Sequence, residues 1–133
     1  MKRLLLIIAA VGCLNAPAAA GGAESAAQCR HADRFIQREV RFARGRTTAV
    51  FKGTVRPCTS HVYALPARAG QTMIVNLAAG NRTSFTVSGP SVGLLEGADG
   101  VKRWSGELPE DGDYTIQIGT DATAAYTLEV TIR

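Results

Sequence analysis

One segment of this 133-residue sequence has the spacing of a known nucleophile motif. Residues 89–93 (GPSVG) match the GxSxG elbow, which needs a strand–turn–helix unit and a histidine later in the chain. His31 and His61 are the only histidines, and both precede Ser91. The segment that follows continues an all-β pattern instead of a helix. We therefore interpret this match as a strand-ending turn and predict that the protein is not an enzyme.

An acidic run is the second group of residues that could support chemistry. Its four carboxylates are Glu107, Glu110, Asp111 and Asp113. A pair of carboxylates can act as the acid and base of a glycosidase, and several with backbone carbonyls can bind Ca²⁺. The glycines and the proline between them are typical of a solvated turn between strands. We predict no catalysis here, and leave a calcium site or a charged partner patch as alternatives. No His/Cys spacing of a zinc site occurs, and no cofactor is expected.

The cysteines form the third group. Cys13 lies in the apolar run near the start of the chain, which leaves Cys29 and Cys58 as an even pair. Such a pair in an exported protein favours a disulfide. In the chain-entropy model, closing a loop of about 30 residues contributes roughly 3–4 kcal/mol to stability. We predict a structural bridge between Cys29 and Cys58.

The first twenty residues predict export. A basic start at Met1–Arg3 precedes an apolar run over residues 4–14 and small residues at 18–20. This is the layout of a secretory signal peptide, and the run is shorter than the roughly 20 apolar residues that span a bilayer. We predict a periplasmic or secreted protein that begins near Gly21. As an alternative, Cys13 ends a segment similar to a lipobox, which would give a lipid-anchored envelope protein.

The charge distribution narrows the choice of partners. The formal charge of +4 falls to +2 when Lys2 and Arg3 leave with the signal peptide. Residues 21–68 carry nine basic and three acidic residues, and residues 69–133 carry four basic and eight acidic ones. Because export removes the protein from nucleic acid, a charged patch favours a protein partner, with peptidoglycan or an anionic envelope polymer as alternatives.

Alternating apolar and polar residues dominate the chain from residue 39 onward. About eight short runs of this kind, separated by turn signals, predict an all-β fold, a single antiparallel β-sandwich. We expect hairpin turns at Gly80-Asn81 and Asp99-Gly100. The aromatic residues mostly share the phase of the apolar ones, which favours a core over a sugar-binding face. These aromatics are Phe51, Tyr63, Phe85, Trp104, Tyr114 and Tyr126.

An arginine periodicity precedes the strands. Arg30, Arg34, Arg38 and Arg41 recur at spacings of four, four and three, which predicts a short helix from about Gln28 to Gln37. The predicted disulfide would tether this helical segment to the sandwich. The predicted organisation is therefore a signal peptide (1–20), a partly helical extension (21–38) and the β-sandwich domain (39–133).

An ordered set of short motifs in residues 39–133 resembles the bacterial periplasmic inhibitors of goose-type (g-type) lysozyme. The set comprises VRFARG at 40–45, FKGTV at 51–55, YAL at 63–65, ARAGQ at 67–71, GELP at 106–109, GDYTI at 112–116 and YTL at 126–128. The resemblance implies a β-sandwich that blocks a muramidase by inserting loops into its active-site cleft, without a cofactor and without turnover. The alternative function is a non-catalytic module that binds cell-wall glycan or another envelope component.

The chain departs from that family at two turns. Family members carry a Gly-Tyr-Asp turn where this chain has Pro57-Cys58-Thr59, and a longer arginine-rich loop where it has residues 119–125. We hypothesise that arginines of the N-terminal extension supply the charge instead, held beside the 57–60 turn by the disulfide. A homodimer through an edge strand is left open. The candidate partner-binding residues are Arg30, Arg34, Arg38, Pro57, Thr59, Ser60, His61 and Asp121.

Overall fold

The computed structural model describes Cys29 and residues 34–133, and this part of the chain is built from eight β-strands. The strands are β1 (Arg34–Glu39), β2 (Thr48–Val55), β3 (Thr59–Ala67), β4 (Thr72–Ala78), β5 (Thr83–Ser88), β6 (Arg103–Glu107), β7 (Gly112–Thr120) and β8 (Ala124–Ile132). The all-β prediction and the number of strands are confirmed. Within these residues, no helix has the length and hydropathy needed to cross a membrane.

The strands form two four-stranded sheets, in the orders β1-β3-β7-β5 and β2-β8-β4-β6. Odd-numbered strands make one sheet and even-numbered strands the other. Every connection between consecutive strands therefore crosses from one sheet to the other. All ladders are antiparallel except that of β1 and β3, which is parallel.

This alternation corrects the two predicted hairpins. A turn does occur at Gly80-Asn81, where Thr83 N donates to Gly80 O at 3.1 Å, but it joins β4 to β5 in the opposite sheet. The segment around Asp99-Gly100 is also no hairpin, because both its flanks pair with β5, through the bridges Ser88–Leu94 and Phe85–Val101. Turn residues specify only that the chain reverses direction. Which of the two sheets the next strand joins depends on where its apolar face can be buried.

The N-terminal helix prediction is wrong where it can be compared with the structure. Residues 34–37 belong to β1, and apart from Cys29 the rest of the predicted helix lies outside the described residues. β1 pairs with β3 from Arg34 opposite Thr59 to Glu39 opposite Ala64. The backbone N–H and C=O groups of alternate β1 residues are hydrogen-bonded in this ladder. The helical spacing of the arginines involved exposed residues only, so it did not determine the secondary structure. The sheet therefore includes residues 34–38, which the sequence assigned to the extension.

The core lies between the two sheets and is formed by alternate residues of the strands. Along β3, β4, β7 and β8 every second residue is buried, as the alternating sequence predicts. Tyr63, Phe85, Tyr114 and Tyr126 are buried, and Phe51 and Trp104 are half-buried against the core. The interpretation of the aromatics as core residues is confirmed.

A tyrosine corner fixes the start of β7. The Tyr114 hydroxyl donates to Glu110 O at 2.6 Å and accepts from Glu110 N at 3.2 Å, four residues upstream. Such corners stabilise the crossing between sheets in Greek-key sandwiches. Leu108, which is 1% exposed, anchors the same turn in the core. The GELP and GDYTI motifs thus encode one structural unit.

A chain of three polar side chains runs through the core. His61 Nδ1 lies 2.7 Å from Tyr126 Oη, which lies 2.6 Å from Tyr63 Oη. All three hydroxyl and ring groups are satisfied when Tyr63 donates to Tyr126 and Tyr126 donates to neutral His61. A protonated His61 would have to donate instead, and one of the two tyrosine hydroxyl protons would then have no acceptor among the described residues.

Two effects lower the pKa of His61. Burial, which leaves 4% of the residue exposed, disfavours the charged ring, and the nearby Arg38 guanidinium repels it. Burial and the hydrogen bond from Tyr63 raise the pKa of Tyr126. Both shifts favour the neutral forms of His61 and Tyr126 in the folded protein.

We expect Gly53→Ala to destabilise the fold. A Cβ at this position would lie 2.8 Å from Tyr126 Oη and 3.0 Å from its Cζ. Tyr126 is held by its hydrogen bonds to His61 and Tyr63 and cannot retreat without breaking them. We expect a loss of about 1–3 kcal/mol in urea unfolding. Gly119→Ala is the matched control, because nothing lies within 4 Å of its added Cβ; an equal loss there would contradict the explanation.

We also expect stability to fall as the pH drops below about 6.5. The unfolded chain takes up a proton at His61 near its ordinary pKa, whereas the folded protein resists protonation until a lower pH. The loss is at most about 1.4 kcal/mol per pH unit from this residue, and it stops once the folded His61 also protonates. Urea unfolding between pH 7.5 and pH 5, on wild type and His61→Gln, measures the effect. A slope that is unchanged in His61→Gln would assign it to other groups.

Candidate functional site

The turn between β2 and β3 has an unusual backbone. Cys58 has a φ of 60°, and it is the only residue other than glycine with positive φ among the described residues. Thr59 N donates to Arg56 O at 3.2 Å, with Pro57 second and Cys58 third in the turn. This arrangement is a type II turn, whose third position normally favours glycine. Cys58 accepts the strained conformation in a position that also carries the disulfide.

The predicted disulfide between Cys29 and Cys58 is confirmed, with the two Cα atoms 5.3 Å apart. It attaches the chain before β1 to the strained turn. Arg34 N also donates to Cys58 O at 3.0 Å, so that β1 begins directly beside the bridge. The turn is thus fixed by one covalent bond and by strand pairing.

Three turns converge at this end of the sandwich. Residues 56–58 lie beside residues 121–123, because Val55 is paired with Ala124. Residues 79–82 lie beside the same 121–123 turn, because Asp121 N donates to Arg82 O at 3.2 Å. We call this set of turns, together with Arg34 at the start of β1, the Cys58 end.

The Cys58 end is basic. Arg34, Arg56 and Arg82 are exposed there, and Asp121 is the exposed acid among them. The ammonium group of Lys102 donates to Ala79 O at 2.9 Å and to Gly80 O, and so serves to hold the 79–82 turn. Within the described residues, the one ion pair joins Arg41 to Glu39, away from this end. Among the described residues, the three guanidinium groups have no ion-pair partner, which leaves them open to an anionic partner.

The structure brings four of the eight predicted partner-binding residues together at the Cys58 end, one of them being Arg34. Pro57, Thr59 and Asp121 belong to the Cys58 end or border it. Arg38 lies further along β1, exposed, and Arg30 lies outside the described residues. Ser60 faces outward on β3, where its hydroxyl accepts from Gln117 Nε2 at 3.3 Å. His61 is buried in the core, which removes it from direct contact with a partner.

Sequence reasoning missed Arg56 and Arg82. Arg56 directly precedes Pro57, and Arg82 belongs to a turn that the sequence marks only as part of the surface. Arg56 and Arg82 lie near Asp121 because β2 pairs with β8 in one sheet and β5 pairs with β7 in the other. Tyr63 and Tyr126 were assigned correctly to the core, but their bond to His61 links β3 to β8 and has no sequence signal.

The acidic run serves the opposite end of the sandwich. The Glu110 carboxylate accepts from Ser91 N at 2.7 Å, from Val92 N at 3.0 Å and from the Ser91 hydroxyl. These bonds lower the pKa of Glu110. Asp111 accepts from Ala69 N at 2.7 Å. The two carboxylates hold neighbouring turns together, a role that the sequence reading did not foresee.

The two alternatives for the acidic run, a calcium site and a charged partner patch, stay predictions. Glu107 and Asp113 lie exposed in β6 and β7. Among the described residues, no group of three or more His, Cys, Asp or Glu side chains is arranged to hold a metal ion. The turn interpretation of residues 89–93 fits the structure, because Ser91 is bonded to Glu110 and Gly89 N donates to Gly93 O at 2.7 Å.

Comparison with known proteins gives structural matches only. No protein-family model matches the chain, and no curated protein sequence matches it significantly. Among solved structures, the chain is similar to Aeromonas hydrophila PliG, a periplasmic lysozyme inhibitor of g-type lysozyme. The identity is 29% and the TM-score 0.67, over 77% of this chain and 100% of that one.

Two further inhibitors of the same description share the fold. Salmonella Typhimurium PliG is 20% identical with a TM-score of 0.61, over 74% of this chain and 98% of that one. A mutant of PliG from Escherichia coli is 18% identical with a TM-score of 0.61, over 75% and 99% of the two chains. The resemblance seen in the sequence motifs is confirmed, and it extends over the whole sandwich.

Proposed function

We propose that the protein is a periplasmic, non-catalytic inhibitor of g-type lysozyme that presents its Cys58 end to the enzyme. The observation that carries this proposal is the 29% identity to the A. hydrophila inhibitor over the full length of that chain. The basic turns of the Cys58 end are the part of the surface whose chemistry fits such a target.

The complementarity is electrostatic and steric. Glycosidases cleave their substrates with carboxylates placed in a cleft. Exposed arginines on short turns can enter such a cleft and bind carboxylates in a bidentate manner. At the Cys58 end the turns are held by the disulfide, by the bond from Asp121 N to Arg82 O and by strand pairing. Because this surface is pre-organised, little entropy is lost on binding.

The proposal also accounts for the two departures from the family pattern. This chain lacks an arginine in residues 119–125, but Arg82 lies beside that turn in the fold. Arg56 and Arg34 flank the turn that replaces Gly-Tyr-Asp. Basic charge is thus supplied to the same end from other positions of the chain.

A periplasmic location follows from the predicted signal peptide and from the description of the related inhibitors as periplasmic. Residues 1–20, including Cys13, lie outside the described residues, so processing remains a prediction. Mass spectrometry of the mature N-terminus distinguishes a protein that begins near Gly21 from one acylated at Cys13. The glycan-binding alternative requires an aromatic row on an outer face, and the described residues form none, because Tyr63, Phe85, Tyr114 and Tyr126 are buried in the core.

We expect the oxidised mature protein to inhibit g-type lysozyme stoichiometrically in a peptidoglycan lysis assay, and to leave chicken-type lysozyme active. Arg56→Glu and Arg82→Glu should each weaken inhibition by about tenfold or more, on the order of 1.4 kcal/mol. Arg44→Glu is the matched control, since it makes the same charge change at an exposed position of the opposite end. Equal weakening by all three variants would mean that net charge alone matters, and would remove the Cys58 end as the binding surface.

Removal of the disulfide tests the contribution of the N-terminal residues. In the Cys29→Ser, Cys58→Ser double variant, we expect unfolding free energy to fall by roughly 3–4 kcal/mol. At temperatures where the variant stays folded, inhibition should also weaken, because Arg34 and the strained turn are no longer fixed together. Thermal unfolding and lysozyme titration measure the two effects separately. Reduced stability with unchanged inhibition would restrict the bridge to a structural role.

A further inference from the structure

The two outer edges of the β1-β3-β7-β5 sheet are treated differently by the fold. Residues 94–101 cover the β5 edge, where Leu95 N donates to Val87 O at 3.0 Å and Val87 N donates to Ala98 O at 2.9 Å. Among the described residues, no segment covers the β1 edge in this way, and all six residues of β1 are exposed. Phe35 is 57% exposed and Ile36 43% exposed. An uncovered edge of this length, with large apolar side chains and no proline, is a template for another strand.

The hydrogen bonds of β1 show which backbone groups remain free. Arg34 N donates to Cys58 O at 3.0 Å, and Val40 N donates to Ala64 O at 2.8 Å. In a β-strand successive residues direct their backbone groups to opposite sides, so Ile36 and Arg38 also bond towards β3. The N–H and C=O groups of Phe35, Gln37 and Glu39 therefore point away from the sheet.

We propose that a second copy of this chain pairs with β1 through its own β1, antiparallel, around a two-fold axis at Gln37. In an antiparallel ladder, two residues that exchange both backbone bonds must lie opposite each other. Phe35, Gln37 and Glu39 therefore face the partner's Glu39, Gln37 and Phe35. This register forms about six inter-chain backbone hydrogen bonds, two for each facing pair.

The side chains agree with this register. Gln37 meets the partner's Gln37 at the axis, where two amides can bond to each other. Ile36 lies opposite the partner's Arg38, whose apolar stem can cover it. A register centred on Ile36 would place Arg34 opposite the partner's Arg38, and it would also bring bonded backbone groups to the interface. The strand sequence is thus self-complementary in one register and repulsive in the neighbouring one.

The contact is small, which sets its expected strength. A pair of six-residue strands buries less than the roughly 1,600 Å² of a standard interface. We therefore expect a dissociation constant on the order of 10 µM or weaker. Such association would be favoured where the protein is concentrated. It needs no lysozyme, so it stands or falls independently of the proposed function.

The experiment is sedimentation velocity of the oxidised mature protein from about 10 µM to about 1 mM. We expect a reversible shift from monomer to dimer with concentration. Ile36→Glu places a carboxylate opposite the partner's Arg38 and should tighten the dimer, whereas Ile36→Lys should weaken it, with about a tenfold difference or more between them. Leu94→Glu and Leu94→Lys are the matched controls for net charge, at an exposed apolar residue away from β1.

A backbone variant tests the ladder itself. Gln37→Pro removes an N–H that points away from β3, so the β1–β3 ladder is kept while the central pair at the axis is lost. Dimerisation should be abolished in Gln37→Pro and retained in Gln37→Ala, with circular dichroism confirming that both variants are folded. A wild type that stays monomeric at every concentration would overturn the proposal. So would a dimer that responds equally to the two Ile36 variants, or one that persists in folded Gln37→Pro.

Discussion

The constraint on which this structure depends is that each strand is followed by a strand of the opposite sheet. No two consecutive described strands are hydrogen-bonded to each other, so neither sheet can form before the chain has crossed the core several times. The burial of apolar faces between the sheets is therefore the interaction that holds every ladder together. Long-range pairing of this kind carries a large loop-closure cost, and it is associated with slow folding.

The two ends of the sandwich show how one fold separates stability from recognition. At one end, the carboxylates of Glu110 and Asp111 accept backbone hydrogens from neighbouring turns, and the Tyr114 corner secures the same region. At the Cys58 end, the corresponding work is done by a disulfide, by backbone bonds, and by the Lys102 ammonium and Thr120 hydroxyl groups, which donate to carbonyls of the 79–82 turn. Its arginine side chains are consequently left free, which is what an electrostatic interaction with another protein requires.

The polar chain of His61, Tyr126 and Tyr63 links the two sheets through the core. It joins β3 to β8, which belong to opposite sheets, and Gly53 leaves the space that the Tyr126 hydroxyl occupies. A buried polar group with all its hydrogen bonds formed favours one alignment of the two sheets. A shift of one sheet relative to the other would leave a buried donor without an acceptor. The relative position of β3 and β8 is thereby tied to a single alignment.

The sequence by itself determined the strand positions from β2 onward, the inward phase of Tyr63, Tyr114 and Tyr126, the disulfide and the family resemblance. These conclusions rest on the alternation of apolar and polar residues, on the even number of cysteines and on the order of short motifs. Each of these patterns can be identified in the sequence without knowing the fold. Only the tertiary structure decided that Gly80-Asn81 joins two sheets, that residues 34–37 form a strand, and that Arg56 and Arg82 lie beside Asp121. Those outcomes depend on which strands become neighbours, and burial energy summed over the whole core makes that choice.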